Sequence, residues 1–187
     1  MLGLTERELY PELPISGDCL SAQDLRPWFA LTVKPQHEFT VQQGLAAKGL
    51  EAYAPAYWTA RRWSDRVKKL QQALFPGYVF CHFSATSRTP VLRTPGVRSI
   101  VSFGAEPAPI PAAQLASIQQ MLASNYPVEP WPFLQVGQLV RIGEGSLTGL
   151  EGILVHCRNA SRVVVSIELL QRSVAVEVDS ASLIPLN

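Results

Sequence analysis

Residues 74–80 read Leu-Phe-Pro-Gly-Tyr-Val-Phe and follow directly on a cationic segment. No other stretch restricts the fold so narrowly. Pro76 fixes its own φ and removes a backbone donor, while Gly77 tolerates a positive φ, so the chain bends here. Tyr78, Val79, Phe80, Cys81 and Phe83 then carry the β-propensity of a strand. Alternation places Tyr78 and Phe80 on one face and Val79, Cys81 and Phe83 on the other. Both faces are apolar. One therefore covers a core, and the other meets a helix or a partner protein.

The 187 residues suffice for one domain or two small ones, and two fit the change of pattern along the chain better. With 47% hydrophobic and 17% charged residues the balance is globular. No apolar run approaches the roughly 20 residues of a membrane helix. The opening residues lack the basic and then apolar pattern expected of a signal segment, and Cys19, Cys81 and Cys157 are odd in number and lack a CxxC spacing. Reduced thiols in a cytoplasm are the expectation. The net charge of +1 is unevenly spread. Residues 1–27 carry two Arg against five acids, residues 28–127 ten Lys/Arg against four acids, and residues 134–187 four Arg against five acids. The positive charge is confined to one region, which suits a polyanionic partner or a solvated basic face.

Residues 1–27 contain three prolines and no sustained period, and read as a poorly ordered acidic leader. A strand is expected over 28–33, then a loop at 34–37 and a helix over 38–48 with Gly49 at its C′ position. Phe39, Gln42, Leu45 and Ala46 are expected along its inner side. Strand propensity over 51–59, the cationic run 60–69 and the strand through Tyr78 read as a long hairpin with its tip near Ser64-Asp65. A short helix over 86–93, a strand over 97–103, a loop over 104–109 and a helix after Pro111 with Leu115, Ile118 and Leu122 at helical spacing complete this part. Residues 126–132 hold three prolines and are the best linker. Beyond it come short strands at 139–142, 150–156, 162–167 and 174–178 punctuated by glycines, the pattern of a small β-barrel.

The combination resembles the NusG-like transcription elongation factors over about residues 28–187. The carriers are the Trp28-Phe29 opening strand, the stretch 74–80, Thr94-Pro95-Gly96-Val97, Pro109-Ile110-Pro111, and the run from Val136-Gly137 to Gly149-Leu150-Glu151-Gly152. The resemblance implies an α+β fold: an NGN antiparallel α/β sandwich over 28–125, a linker over 126–133 and a small SH3-like KOW β-barrel over 134–187. It further implies a cytoplasmic, monomeric, non-catalytic protein without cofactor, which binds the clamp helices of RNA polymerase and favours processive elongation or antitermination. The positions it assigns to polymerase are Phe75, Tyr78, Phe80 and Phe103, with Tyr53 and Pro55 nearby. Ser87, Arg88 and Thr89 stand where specialised paralogues such as RfaH carry His-Thr-Thr for a bridging contact, so this sequence departs from that pattern. The KOW domain is expected to contact a ribosomal protein or the Rho terminator. RfaH refolds this domain as a helical hairpin, whereas Val163-Val164-Val165 and the paired glycines here favour strands. The acidic leader, the short linker and the hairpin lean toward a specialised paralogue.

Arg61, Arg62, Arg66, Lys68 and Lys69 give the hairpin a net +4 once Asp65 is subtracted, and Trp63 adds a ring for a base to stack on. Such a hairpin suits single-stranded non-template or upstream duplex DNA, and a solvated charged turn is the plain alternative. Lys34 and His37 match positions that face the non-template strand in specialised paralogues, at a helix N-terminus that itself favours phosphate. Cys81-His82 and His156-Cys157 do not make a metal site, because strand neighbours point to opposite faces. The glycines at 143–149 fit neither a dinucleotide fingerprint nor a P-loop. A ribosome-associated or RNA-binding KOW protein is the alternative reading. It requires a basic C-terminal segment, which the charge count does not give. A nucleic-acid-processing enzyme would require clustered acids.

Overall fold

A computed structural model describes residues 27–62, 67–124, 126–133, 137–157 and 160–186. The expected leader, Pro27 apart, lies outside the described residues. The chain begins with β1 (Trp28–Val33), α1 (Glu38–Ala46), β2 (Glu51–Tyr53), β3 (Ala56–Arg62), β4 (Val67–Ala73) and β5 (Tyr78–His82). Next come α2 (Thr89–Leu92), β6 (Val97–Ile100), β7 (Ser102–Phe103), β8 (Glu106–Pro107), β9 (Pro109–Ile110) and α3 (Ala112–Ala123). The first sheet runs β2-β5-β1-β6, with β9 also paired to β1, and every pair is antiparallel. β1 and β5 lie in register with Phe29 opposite Cys81, Ala30 opposite Phe80 and Leu31 opposite Val79. One face therefore gathers Phe29, Leu31, Val33, Val79, Cys81 and Phe83 against Val41, Leu45 and Val91 of the two first helices. Ala30 and Phe80 on the other face join Phe75, Ile110 and the α3 residues Leu115, Ile118 and Met121.

Both faces are consequently covered, as an apolar strand requires. α1 ends with Gly49 at φ 74°, its N–H donating to the Ala46 carbonyl and that of Leu50 to the Leu45 carbonyl. This is a Schellman closure, and Leu50 packs beside Leu45 as such a cap requires. The inner side of α1 differs from the sequence reading: Glu38, Val41 and Leu45 are buried, while Phe39 and Gln42 are half-buried and Ala46 is exposed. The stripe rotates because the Glu38 carboxylate has a partner inside, the backbone N–H of Gly77, 2.7 Å from Oε1. A buried carboxylate with a donor outcompetes a phenyl ring for that position.

Three turns meet at this end of the sheet. His37 N–H donates to the Lys34 carbonyl, Tyr78 N–H to that of Phe75 and Val97 N–H to that of Thr94. Each turn has Pro at its second position and a positive φ at its third: Gln36 63°, Gly77 82°, Gly96 95°. That is the type II pattern. Val33 N–H reaches the Gly77 carbonyl and Lys34 N–H the Gly96 carbonyl, so the end of β1 ties the three together. At Gly96, φ 95°, a Cβ would lie 2.8 Å from Val41 Cγ2, so a side chain there would strain the backbone and displace Val41.

The expected strand over 51–59 is divided at Ala54-Pro55 into β2 and β3, and the hairpin is the two-stranded ribbon β3–β4, in register from Ala56 opposite Ala73 to Arg62 opposite Val67, while the strand through Tyr78 pairs with β1 and β2. The short helix is confined to Thr89–Leu92, and the expected strand over 97–103 is interrupted. β7 and β8 close a small hairpin about Gly104, φ 60°, within what the sequence suggested was a loop. In α3 the buried residues are Leu115, Ile118 and Met121, with Leu122 half-buried beside them.

The remaining strands are β10 (Val128–Trp131), β11 (Gln138–Ile142), β12 (Glu151–Cys157), β13 (Ala160–Ile167), β14 (Arg172–Val178) and β15 (Leu183–Pro185). They form one sheet in the order β10-β14-β13-β12-β11-β15. Among the described residues no pairing closes this path into a barrel. Residues 128–131, inside the expected linker, are the edge strand β10, and Pro130 is tolerated there because an edge leaves one row of backbone groups unpaired. Val163, Val164 and Val165 are buried in β13. α3 lies against β13, and Gln120 Nε2 donates to the Thr148 carbonyl at 3.0 Å, so the buried cluster runs continuously from the first sheet to the second. Gly152 stands where a Cβ would be 2.6 Å from the Val164 carbonyl oxygen. Gly152→Ala is expected to destabilise the protein by about 1–3 kcal/mol in urea unfolding, the range for forced overpacking. Glu38→Ala, which strips the Gly77 N–H of its acceptor, is expected to cost about 1–3 kcal/mol in the same measurement.

Candidate polymerase and nucleic-acid surfaces

The residues singled out around β5 fall into two groups. Tyr53, Phe75, Tyr78 and Phe80 belong to one face: Tyr53 pairs with Phe80 across β2 and β5, and the Phe75 and Phe80 rings meet edge-on at 5.5 Å. Phe75 and Phe80 are buried, whereas Tyr53 and Tyr78 are half-buried and offer part of their rings to solvent. Burial pushes the Tyr53 hydroxyl above its ordinary pKa. Pro55 is buried, its carbonyl accepting the Leu74 N–H at 2.8 Å.

Phe103 belongs elsewhere. It stands 76% exposed on the β7–β8 hairpin. Arg88 grips that hairpin, donating to the Ala105 carbonyl at 3.1 Å and lying 3.6 Å from the Glu106 carboxylate, while its Nε donates to Ala85 at 2.7 Å. Ser87 and Thr89 flank it and are exposed. The segment 87–89 and Phe103 thus form one surface, and Arg88 serves as its internal brace.

Lys34 and His37 are exposed in the turn leading into α1. His37 Nδ1 lies 3.0 Å from the Pro35 carbonyl, an acceptor, so that nitrogen carries its hydrogen. The Glu38 carboxylate already occupies the first turn of α1, so the positive helix end is shared with a resident anion. Arg61, Arg62 and Lys68 are in the ribbon strands, but their side chains lie outside the described residues, as do Trp63 and Arg66 entirely. Lys69 is described and exposed, opposite Ala60.

Sequence reasoning overlooked Trp58 and Tyr126, which are 69% and 44% exposed. The available signal was the two-residue period of β3. Tyr57 packs against the buried cluster and donates to Gln72 Oε1 at 3.1 Å, so Trp58 has to face the other way. Overlooked too was Arg162, which lies 2.7 Å from Glu129, 3.6 Å from Glu177 and 5.0 Å over the Trp131 ring, fastening β10 onto the second sheet.

Among the described residues no three His, Cys, Asp or Glu side chains come together to hold a metal ion, and no helix is long and apolar enough to cross a membrane. Burial pushes the Cys81 thiol up to about 12, outweighing a hydrogen bond to the His82 backbone that acts in the opposite direction. The family model for NusG, described as transcription termination factor nusG, matches residues 26–119, half of the chain. The transcription termination/antitermination protein NusG of Lactococcus lactis subsp. lactis (strain IL1403) is 25% identical over 165 residues, covering 81% of this chain and 89% of that protein. A solved structure on domain interaction in Thermotoga maritima NusG superposes with a TM-score of 0.51 at 20% identity, covering 88% of this chain and 99% of the other, a likeness of fold. A two-sided antiparallel sheet of mixed α/β type, followed by a strand-rich second sheet, is the class these features define. The chain belongs to the NusG family. In the folded protein at pH 8, iodoacetamide is expected to leave Cys81 unmodified and to label it fully in guanidinium, as read by peptide mass mapping.

Proposed function

We propose that the chain is a transcription elongation and antitermination factor that binds RNA polymerase through the Tyr78 side of its first sheet. The family match carries this reading, because residues 26–119 include every strand of that sheet. On this proposal residues 28–125 are an NGN domain, residues 126–133 the connection, whose β10 joins the second sheet, and residues 134–187 a KOW domain. The protein is a specialised paralogue that touches a ribosomal protein or Rho through the second domain.

The half-buried rings of Tyr53 and Tyr78 make first contact with an apolar helical pair of the polymerase, with Phe75 and Phe80 behind them as a rigid backing. Aromatic residues with a polar tip suit such a surface, since the ring binds and the hydroxyl stays hydrated. Phe103 and the segment 87–89 face a second polymerase element. The cationic ribbon, together with Lys34 and His37, follows displaced non-template or upstream DNA.

Addition of the protein to purified bacterial RNA polymerase on paused templates, with and without Rho, is expected to change pausing, processivity or termination. Tyr78→Ala is expected to weaken co-elution with polymerase about tenfold or more, on the scale of an interface hot spot, with an unchanged circular dichroism spectrum. The absence of any effect on elongation or termination would refute the proposal.

A further inference from the structure

The β3–β4 ribbon has two faces with different fates. Cross-strand partners share a face, so Tyr57 opposite Gln72 forms one side, and Trp58 opposite Gln71 with Ala60 opposite Lys69 forms the other. The first side is engaged with the body of the protein through Tyr57. The second opens on a cleft of about 720 Å³ whose remaining wall is Ser124, Tyr126 and Pro127, the chain leaving α3. Trp58 is 69% exposed there, so its ring contributes little to the stability of the fold. Ala60, with its small side chain, and Lys69 line the same cleft.

We propose that this cleft is a stacking site for a base of single-stranded DNA. Trp58 and Tyr126 supply the ring faces, and Lys69 meets the adjoining phosphate. Charge complementarity selects the occupant: among the described residues the cleft carries the cation Lys69 and no acid, within a sequence segment that holds five Lys/Arg and one Asp. Aromatic rings interleaved with cations are what single-stranded nucleic acid requires, because every base has a π-face and every residue of the strand a phosphate. Tyr126 belongs to the segment that joins the two sheets, so a strand held here touches both the ribbon and the start of the linker.

The site deepens the DNA contact proposed above, and its test is independent of polymerase. The full chain is titrated into a fluorescently labelled dT12 oligonucleotide and into a 12-residue strand of abasic sites, with binding read by anisotropy. Trp58→Ala is expected to weaken binding of dT12 about tenfold, within the range for loss of one stacked ring. Binding of the abasic strand should stay unchanged, and Trp58→Phe should retain most of the affinity. Tyr126→Ser provides a second variant with the same expected pattern. Lys69→Gln is expected to reduce the slope of log Kd against log salt by about 0.7, one phosphate contact on a single strand. Wild-type affinity for dT12 in both ring variants, or an equal loss on the abasic strand, would overturn the proposal. A Trp58→Ala protein that lost polymerase binding and kept dT12 binding would overturn it as well, marking the cleft as a protein contact. A silent elongation assay beside the expected oligonucleotide result would refute the polymerase reading alone.

Discussion

The hydrogen bond from the Gly77 N–H to the buried Glu38 carboxylate joins the parts that make this fold specific. It links the first turn of α1 to the turn that launches β5. The end of β1 is pinned to that same turn by Val33 and to the Thr94–Val97 turn by Lys34. A charge-assisted bond in a site with little water is stronger than a neutral one at the surface, and its loss leaves a buried acceptor or donor uncompensated. Together with the β1 and β2 pairings of β5, this contact fixes the turn from which β5 leaves. Tyr78, the residue after Gly77, is thus presented beside a turn that a carboxylate on another element holds.

Much of the first sheet was legible because its signals are local and period-based. Pro76-Gly77 announces a turn, the alternation from Tyr78 to Phe83 announces two faces, and Gly49-Leu50 announces the end of α1. The α1 stripe was not legible, since hydropathy alone ranks Phe39 above Glu38. Only the donor at Gly77, 39 positions away, reverses that order. The interruption between β6 and β7 depends likewise on pairings that a short run of residues does not encode. Long-range partners decide such cases, and a sequence window contains no long-range partners.

The candidate surfaces show the same division. Phe75 and Phe80 look like contact residues in sequence and are buried in the fold, with Tyr53 and Tyr78 retaining exposed area beside them. Phe103 looks like one of their group and belongs instead with Arg88. Trp58 reads as one more aromatic in a strand, yet its exposure follows from Tyr57 having taken the inward position. Residue type was readable throughout. Which of two adjacent aromatics is spent on packing was decided by tertiary structure.

Arg162 and Trp131 hold β10 within the second sheet, and this shortens the covalent connection between the two halves. Between the end of α3 and the start of β10 lie residues 124–127, and a chain of that length extends at most about 14 Å. Halves held so closely meet as if at millimolar or higher effective concentration. An interface between them needs very little intrinsic affinity to stay formed. A partner competing for either half works against this local concentration, unless β10 first peels away and lengthens the leash.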